Sequence, residues 1–217
     1  MGQTQFLPSN FLAFAVDADG DGRRDIWGSV ADVMASTANF LANSGWQAGQ
    51  PWGLEVRLPP GFDYAHASVD VRQAASVWAS EGVRAMDLAP LPILKDSSIL
   101  LPAGARGPAF LVGANFRTIL RYNNSTHYAL AVSLLAQRLG EGPAVRASWP
   151  RDLPPLTRAQ LVALQMALNA RGFDSGMPDG MMGPATQRGI RQYQQNLGLP
   201  ADGYPTQALL QGLQGLR

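Results

Sequence analysis

The sequence contains no cysteine, and this absence excludes several kinds of chemistry at once. The chain has no disulfide, no thiolate zinc site and no cysteine nucleophile, although its cellular compartment stays open. No run of about 18 apolar residues occurs, so no membrane-spanning helix is predicted. The start, Met1-Gly2-Gln3-Thr4-Gln5, is polar and lacks the basic residues of a signal sequence. We therefore expect either a cytosolic chain or one whose true beginning lies upstream.

Charge is also scarce, because charged residues make up 15% of the chain and the net charge is +1. This balance predicts no strong attraction to nucleic acid or to an anionic membrane. Hydrophobic residues make up 46% of the 217 residues, which is enough for a buried core and is not typical of a disordered chain. The length fits one medium domain plus a small one.

Glutamate occurs only at Glu55, Glu81 and Glu141. An enzyme that cleaves glycosidic bonds needs a carboxyl group held protonated in a partly apolar cleft. Glu55 lies in a strand-like run, Glu81 at the end of a short helical pattern and Glu141 in a proline-rich linker. No phosphate-binding glycine loop or nucleophilic serine elbow is present either. The residues alone therefore indicate no general acid.

What the sequence does contain is an acidic loop near its start. Aspartates stand at loop positions one, three, five and nine and a glycine at position six, which is the oxygen-ligand spacing of an EF-hand calcium loop. These residues are Asp17, Asp19, Asp21, Asp25 and Gly22. Position twelve is Gly28 instead of a glutamate, and the next carboxylate, Asp32, either completes a structural Ca²⁺ site or caps the following helix from Ser29. The alternative is a solvated acidic turn neutralised by Arg23 and Arg24.

Periodicity and breaker residues predict a mainly helical α+β fold. Short and longer helices are expected at 10–16 and from Ser29 to about residue 41, and two more follow residue 115. The second of these is capped by Ser125 and carries one apolar stripe, formed by Tyr128, Ala131, Val132, Leu135 and Leu139. Between them, residues of about 50–115 predict a small antiparallel β subdomain with strands at 54–58, 99–101 and 110–112 and a helix at 73–81.

Clustered prolines mark residues 141–155 as a linker. Residues 156–217 then predict a separate three-helix domain, with a capping box at Thr157 and Gln160 and a helix opened by Gly183-Pro184. A weak internal echo relates the stretches 176–180 and 198–203, because each carries an Asp-Gly turn ahead of a helix.

Aromatic and amide side chains cluster at a predicted helix start. Tyr122, Asn123 and Tyr128 combine ring faces and an amide, which suit polysaccharide rings and their acetamido groups. The alternative is that Tyr128 packs in the core and that Asn123 serves the turn.

Three separated motifs resemble, in the same order, the lytic murein transglycosylases of the MltB type. They are GQTQFLPS at 2–9, the stretch from Asp17 to Trp27, and RYNNSTHYA at 121–129. This resemblance covers residues 1–140. Residues 156–213 resemble the peptidoglycan-binding domain of many cell-wall enzymes, on Gly172, Phe173, Asp179, Gly180, Gly183, Thr186, Asp202 and Gly203.

The resemblance implies a lysozyme-like helical core with a β insertion, a calcium loop and a periplasmic location. Family members cleave the bond between N-acetylmuramic acid and N-acetylglucosamine, and the 6-hydroxyl of muramic acid closes a 1,6-anhydro ring while one glutamate acts as acid and then base. By motif, Gln5, Tyr122, Asn123 and Tyr128 resemble cleft residues that bind glycan strands. The resemblance assigns the metal ligands to Asp17, Asp19, Asp21, the Arg23 carbonyl and Asp32, while Phe40 stands where some members have a cleft tyrosine.

The chain departs from the family at one decisive point. The family's catalytic glutamate lies in a Glu-Ser-x-x-Gly motif that precedes the segment at which this chain starts, and none of the three glutamates replaces it by context. We therefore expect a transglycosylase by family with no catalytic residue here, inactive on its own. The alternatives are a non-catalytic peptidoglycan-binding protein and a calcium-stabilised scaffold without a ligand. Exposure of Phe6, Phe11, Phe14 and Phe40 would further predict self-association.

Overall fold

The computed structural model describes residues 1–215 and contains eight α-helices and four short strands in that range. The helices are α1 (Pro8–Phe14), α2 (Val30–Asn43), α3 (Ala75–Ser80), α4 (Ala114–Tyr122), α5 (Thr126–Leu139), α6 (Arg158–Ala170), α7 (Pro184–Asn196) and α8 (Gln207–Gln214). The strands are β1 (Gly53–Arg57), β2 (Arg84–Ala85), β3 (Ser98–Leu100) and β4 (Ala109–Val112). The predicted fold class, mainly helical with a small antiparallel sheet, is confirmed.

The chain forms two compact units. Unit 1 combines Met1–Gly53 with Val112–Pro143, and unit 2 combines Leu54–Leu111 with Ala144–Arg217. The predicted division into residues 1–140, 141–155 and 156–217 stays a prediction about domains.

Unit 1 is built around an aromatic cluster contributed by α1, α2, α4 and the first residues of the chain. Phe6 and Phe40 are buried, and the ring of Phe40 lies 5.7 Å from Phe6, 5.0 Å from Phe14 and 5.1 Å from Tyr122. The expectation that these phenylalanines are exposed is therefore wrong, because they cover one another. Phe11 is half-buried against the same cluster. Self-association through these side chains loses its basis.

Helix α5 buries a different face from the one that its apolar stripe predicts. Its buried residues are Ala129, Leu130 and Ser133, whereas Leu135 and Leu139 are 60% and 79% exposed. The helix is apolar on more than one side, and the face with small residues is the one that packs closely. Tyr128 and Val132 are also exposed.

Unit 2 contains the sheet, whose strand order is β2-β1-β4-β3. Strands β1 and β2 are antiparallel, with Val56 opposite Ala85 and Arg57 opposite Arg84. Trp78 of α3 is fully buried in the core beneath the sheet, and its indole N–H donates to the Ser97 carbonyl at 3.2 Å. Strand β2 was not predicted, because two residues are too short for any periodicity.

The three C-terminal helices of unit 2 pack around a leucine core that includes Leu164, Leu168 and Leu210. The predicted capping box is confirmed, since the Thr157 hydroxyl accepts from Gln160 N–H and the Gln160 side chain accepts from Thr157 N–H. Pro184 stands at the start of α7, as predicted. Among residues 1–215, no helix combines the length and apolarity that crossing a bilayer requires.

Candidate functional site: an acidic loop and an aromatic cluster

The acidic loop brings three carboxylates together. One carboxylate oxygen from each of Asp17, Asp19 and Asp32 lies within 4.8 Å of the other two. The loop curls because the N–H groups of Gly20 and Gly22 donate to the two oxygens of Asp17, at 2.7 and 2.9 Å. Both glycines have positive φ, so the curl needs the conformational freedom of glycine.

Asp32 is fully buried at the start of α2 and faces the loop. One oxygen accepts the N–H of Ala18 at 2.8 Å and the other accepts the N–H of Asp25 at 2.7 Å. The hydrogen bond from the backbone N–H of Ala18 holds the pKa of Asp32 below its usual value. Desolvation opposes this shift, and the hydrogen bond from the backbone N–H of Asp25 adds to it. The helix is capped by Ser29, whose hydroxyl accepts the Asp32 N–H. The carboxylate of Asp32 is therefore free to bind the loop, because Ser29 caps the helix. The two roles considered for this segment, capping of α2 and completion of the acidic loop, are thus compatible.

One of the expected metal ligands, Asp21, stands apart from this group. Asp21 is exposed and accepts the Arg23 N–H at 2.8 Å, and it is not among the three converging carboxylates. The neutralised-turn alternative has little support in residues 1–215, where neither Arg23 nor Arg24 forms an ion pair with the loop. Arg24 instead lies over the ring of Phe11, 5.2 Å from its centroid.

This donor set fits a hard divalent cation. It consists of oxygens alone, its members converge, and one of them is buried, where an unneutralised group of three negative charges is costly. Asp17, Asp19 and Asp32 are the residues that would hold the ion. Its contribution there would be structural, since it would link the loop to the first turn of α2.

The second part of the site adjoins the aromatic cluster. The phenol of Tyr122 donates a short hydrogen bond to the carbonyl of Thr4, which is buried, and the Tyr122 ring lies 6.0 Å from that of Phe6. Gln5 stands between Thr4 and Phe6 with a φ of +54°, a conformation that non-glycine residues seldom adopt. Its side chain is exposed, and its amide donates to the Gly2 carbonyl at 2.7 Å. The bend thus presents Gln5 beside Tyr122.

Asn123 and Tyr128 continue this surface beyond the end of α4. Asn123 is exposed and extended, and its carbonyl accepts the Ser125 N–H at 2.7 Å. Tyr128 lies in the first turn of α5 and is 38% exposed, so the alternative prediction that it packs in the core is wrong. Burial raises the pKa of the Tyr122 phenol, a hydrogen bond with Thr37 opposes the rise, and the nearby Tyr128 adds to it. Gln5 and Tyr128 therefore both lie near Tyr122, and Asn123 follows Tyr122 in the chain.

Thr4 was missed from the sequence, and Ser29 and Asp25, which were predicted as a helix cap and as loop position nine, make contacts that were not predicted. The Thr4 carbonyl anchors Tyr122, the Ser29 hydroxyl donates to Asp19 at 2.7 Å, and Asp25 accepts the N–H groups of Trp27 and Gly28. A backbone carbonyl leaves no trace in the sequence.

The glutamates are engaged elsewhere or exposed. The two oxygens of Glu55 accept the N–H groups of Arg146 and Ala147, at 2.8 and 2.7 Å, and Glu81 accepts from the Gln73 amide. Glu141 is exposed. None of the three therefore stands with the loop aspartates or with the tyrosines near Gln5.

The mainly helical fold, with converging carboxylates in one loop and tyrosines near Gln5, is that of a class of cell-wall protein, as the comparisons show. Residues 1–137 match the transglycosylase SLT domain family, so the chain belongs to that family. Residues 157–213 match the putative peptidoglycan binding domain.

The relatives are bacterial transglycosylases. The chain is 35% identical over 143 residues to membrane-bound lytic murein transglycosylase B of Escherichia coli K12, which covers 63% of the chain and 37% of that protein. SltB3 of Pseudomonas aeruginosa, solved with NAG-anhNAM-pentapeptide, is 54% identical with a TM-score of 0.95, over 99% of this chain and 58% of that one. Escherichia coli Slt35, solved with calcium, is 31% identical with a TM-score of 0.53, over 65% and 44% of the two chains. The chain therefore spans about a third to three fifths of the lengths of these relatives.

Proposed function

We propose that this chain supplies the glycan-binding and wall-anchoring parts of a peptidoglycan lytic transglycosylase. The reaction is non-hydrolytic cleavage between N-acetylmuramic acid and N-acetylglucosamine with a 1,6-anhydro product. The observation that carries the proposal is the hydrogen bond from Tyr122 to the Thr4 carbonyl, because it fixes the bend that carries Gln5 beside two tyrosines. Membership of the transglycosylase family and the muropeptide complex of SltB3 support it.

Each proposed cleft residue has a role that its chemistry suits. The exposed ring of Tyr128 stacks on a sugar face, and the amides of Gln5 and Asn123 exchange hydrogen bonds with acetamido groups. Tyr122 holds the cleft wall through its hydroxyl and contributes its ring edge.

The acidic loop serves this cleft as a structural calcium site. Asp17, Asp19 and Asp32 hold the ion, and Asp21 and the Arg23 carbonyl complete the ligand set when calcium is bound. Support comes from the convergent carboxylates and from the calcium complex of Slt35. The ion supplies cohesion between the loop and α2 and takes no part in proton transfer.

We assign no catalytic residue in this chain. Glu55 is bound by two backbone N–H groups, and Glu81 and Glu141 lack an apolar environment. General acid–base catalysis is worth about 10²–10⁴-fold in rate, and a mechanism with a single acid depends on it entirely. The 217-residue chain should therefore bind glycan without cleaving it, and its proposed location is the periplasm.

A second candidate function is a purely non-catalytic wall-binding protein, and the match of residues 157–213 to the peptidoglycan binding family favours it. The two candidates differ in what the cleft does. If the cleft serves a transglycosylase, it recognises the sugar backbone itself, whereas a wall anchor needs no recognition of this kind in unit 1.

The test uses the full chain and a peptide-free tetrasaccharide of alternating N-acetylglucosamine and N-acetylmuramic acid. We expect saturable binding by calorimetry, weakened by about tenfold in Tyr128→Ala, since one stacked aromatic contributes on the order of 1–3 kcal/mol. Trp149→Ala is the matched control, because Trp149 is exposed to a similar extent, at 42%, and belongs to unit 2. No binding, or equal losses in the two variants, would reject the cleft. Peptidoglycan clearing in a zymogram would overturn the assignment of no catalytic residue.

A further inference from the structure

The C-terminal helices contain one structural device twice. In the first copy, the Gln165 amide of α6 accepts the Gly180 N–H at 2.8 Å and donates to Oδ1 of Asp179 at 3.0 Å. In the second, the Gln194 amide of α7 accepts the Gly203 N–H at 2.8 Å and donates to Oδ1 of Asp202 at 2.7 Å. Each glutamine is nearly fully buried. The weak sequence echo therefore reflects a real structural repeat.

The agreement extends to the backbone. Gly180 and Gly203 have φ values of +72° and +73°, and a Cβ on either would lie within 3.2 Å of a carbonyl oxygen seven residues before the clamping glutamine. Those carbonyls belong to Arg158 and Gln187. In both turns Oδ1 of the aspartate also accepts the N–H two residues further on, from Met181 at 2.8 Å and from Tyr204 at 2.9 Å.

The second copy uses its remaining oxygen to hold a piece of backbone. Oδ2 of Asp202 accepts the N–H of Ala105 at 2.7 Å, in a short turn of helix at Gly104–Arg106. A Cβ on Gly104 would lie 2.6 Å from that oxygen and 2.7 Å from Cβ of Tyr204. This turn therefore recognises a main-chain N–H that is flanked by very small side chains.

The first copy offers the same oxygen without such a segment. Within residues 1–215, no hydrogen bond reaches Oδ2 of Asp179, whose side chain is exposed. Met181 takes the position of Tyr204 and is 64% exposed, and Met177 and Met182 beside it are 82% and 38% exposed. Three flexible thioethers thus stand next to this carboxylate in the chain, and the Arg158 guanidinium lies at the same turn, where it donates to the Asp179 carbonyl at 3.3 Å.

We propose that the turn Asp179-Gly180-Met181 binds a short peptide with small side chains, whose main-chain N–H donates to Oδ2 of Asp179. The methionines cover the peptide as Tyr204 covers Gly104 in the second copy. This assignment rests on the proposed function for the identity of its ligand, which is the alanine-bearing peptide attached to muramic acid in the wall. The C-terminal helices thus recognise the peptide of the polymer, and the cleft of unit 1 recognises its sugars.

The experiment follows the backbone amide signals of the isotope-labelled full chain by NMR while the free muramyl pentapeptide is added, with the peptide-free disaccharide as the second arm. The pentapeptide should shift the signals of Gly180, Met181 and Met182, and the disaccharide should leave them unchanged. Asp179→Asn keeps Oδ1 for Gln165 and Met181 but converts Oδ2 into a donor. It should weaken pentapeptide binding about tenfold or more, as expected for loss of a charge-assisted hydrogen bond.

Asp174→Asn is the control, because Asp174 is an exposed aspartate nearby whose change alters the net charge equally. Met181→Ser is a second variant that leaves the turn's backbone bonds in place and should weaken binding about threefold through lost apolar contact. The proposal fails if the pentapeptide shifts none of the three signals, if Asp179→Asn titrates like the parent chain, or if Asp174→Asn loses as much affinity. Failure of the tetrasaccharide to bind unit 1, with these shifts intact, would overturn the proposed function and leave the peptide site standing.

Discussion

Removal of calcium from the acidic loop should cost unit 1 about 3 kcal/mol of stability. Oxygens of three carboxylates lie within 4.8 Å of one another, and each pair of charges at that distance repels by roughly 1 kcal/mol in water and 3 kcal/mol at an effective dielectric constant of 20. A bound cation offsets this repulsion. At a calcium concentration about 100 times the Kd, binding stabilises the folded state by about 2.7 kcal/mol.

The assay is thermal unfolding of the full chain, with calcium and then with excess chelator. For a unit of 60–100 residues, 1 kcal/mol corresponds to about 4–8 °C, so the transition of unit 1 should fall by roughly 10–20 °C. Asp17→Asn should abolish most of this calcium response, whereas Asp70→Asn, an exposed aspartate outside the loop, should retain it. A parent chain whose melting is the same with and without chelator would refute the reasoning. So would an Asp17→Asn variant that responds to calcium as the parent does.

Three further predictions concern single side chains. Asn115→Ala should lower the urea midpoint and cost about 2–3 kcal/mol, because the fully buried amide makes three hydrogen bonds to the backbone of residues 47–50; a loss below about 0.5 kcal/mol would contradict this. Tyr122→Phe should weaken tetrasaccharide binding about threefold to tenfold by releasing the Thr4 carbonyl, and unchanged calorimetry would count against the cleft. The hydrogen bond from Gln165 lowers the pKa of Asp179, so the ionised carboxylate stabilises the fold fully above the unfolded pKa of about 3.9. This stabilisation is lost as the pH falls through the lower pKa of the folded state. Asp179→Asn should therefore flatten the acid-unfolding curve in that range, and an unchanged curve would contradict the pKa shift.

The sequence predicted correctly those features that depend on a few neighbouring residues, such as helix caps and helix starts. The capping box at Thr157 and the proline at the start of α7 each depend on a few consecutive residues, and the structure contains both. Of the carboxylates in the loop spacing, Asp17 and Asp19 converge with Asp32, whereas Asp21 does not. The prediction of the buried face of α5 was wrong, because the sequence of a helix that is apolar on several sides does not indicate which side packs against its neighbours. Tertiary packing decides that choice, and the small side chains of Ala129 and Ser133 allow the closest approach.

In the candidate site, too, some residues could be predicted from local sequence, whereas others act through contacts between distant parts of the chain. The loop aspartates and the tyrosines were predicted as site residues from residue type and spacing, whereas the role of Thr4 depends on a carbonyl that accepts a hydrogen bond from a phenol 118 residues later in the chain. The doubled Asp-Gly turns were visible as an echo, but the buried glutamines that hold them come from helices whose pairing no short motif encodes.

The buried amide of Asn115 also bears on how this chain tolerates rearrangement. It ties residues 47 and 50 to the start of α4, and the Gly113 N–H donates to the Trp52 carbonyl at 2.7 Å, so the polypeptide exits unit 1 and re-enters it at neighbouring points. The roughly sixty residues between these two points therefore resemble an insertion into unit 1. The hydrogen bonds within unit 1 already hold the two ends of this insertion together. The inserted segment should therefore be replaceable: a short turn, or an unrelated domain with close termini, placed between Trp52 and Gly113 should leave the aromatic cluster and the acidic loop able to assemble.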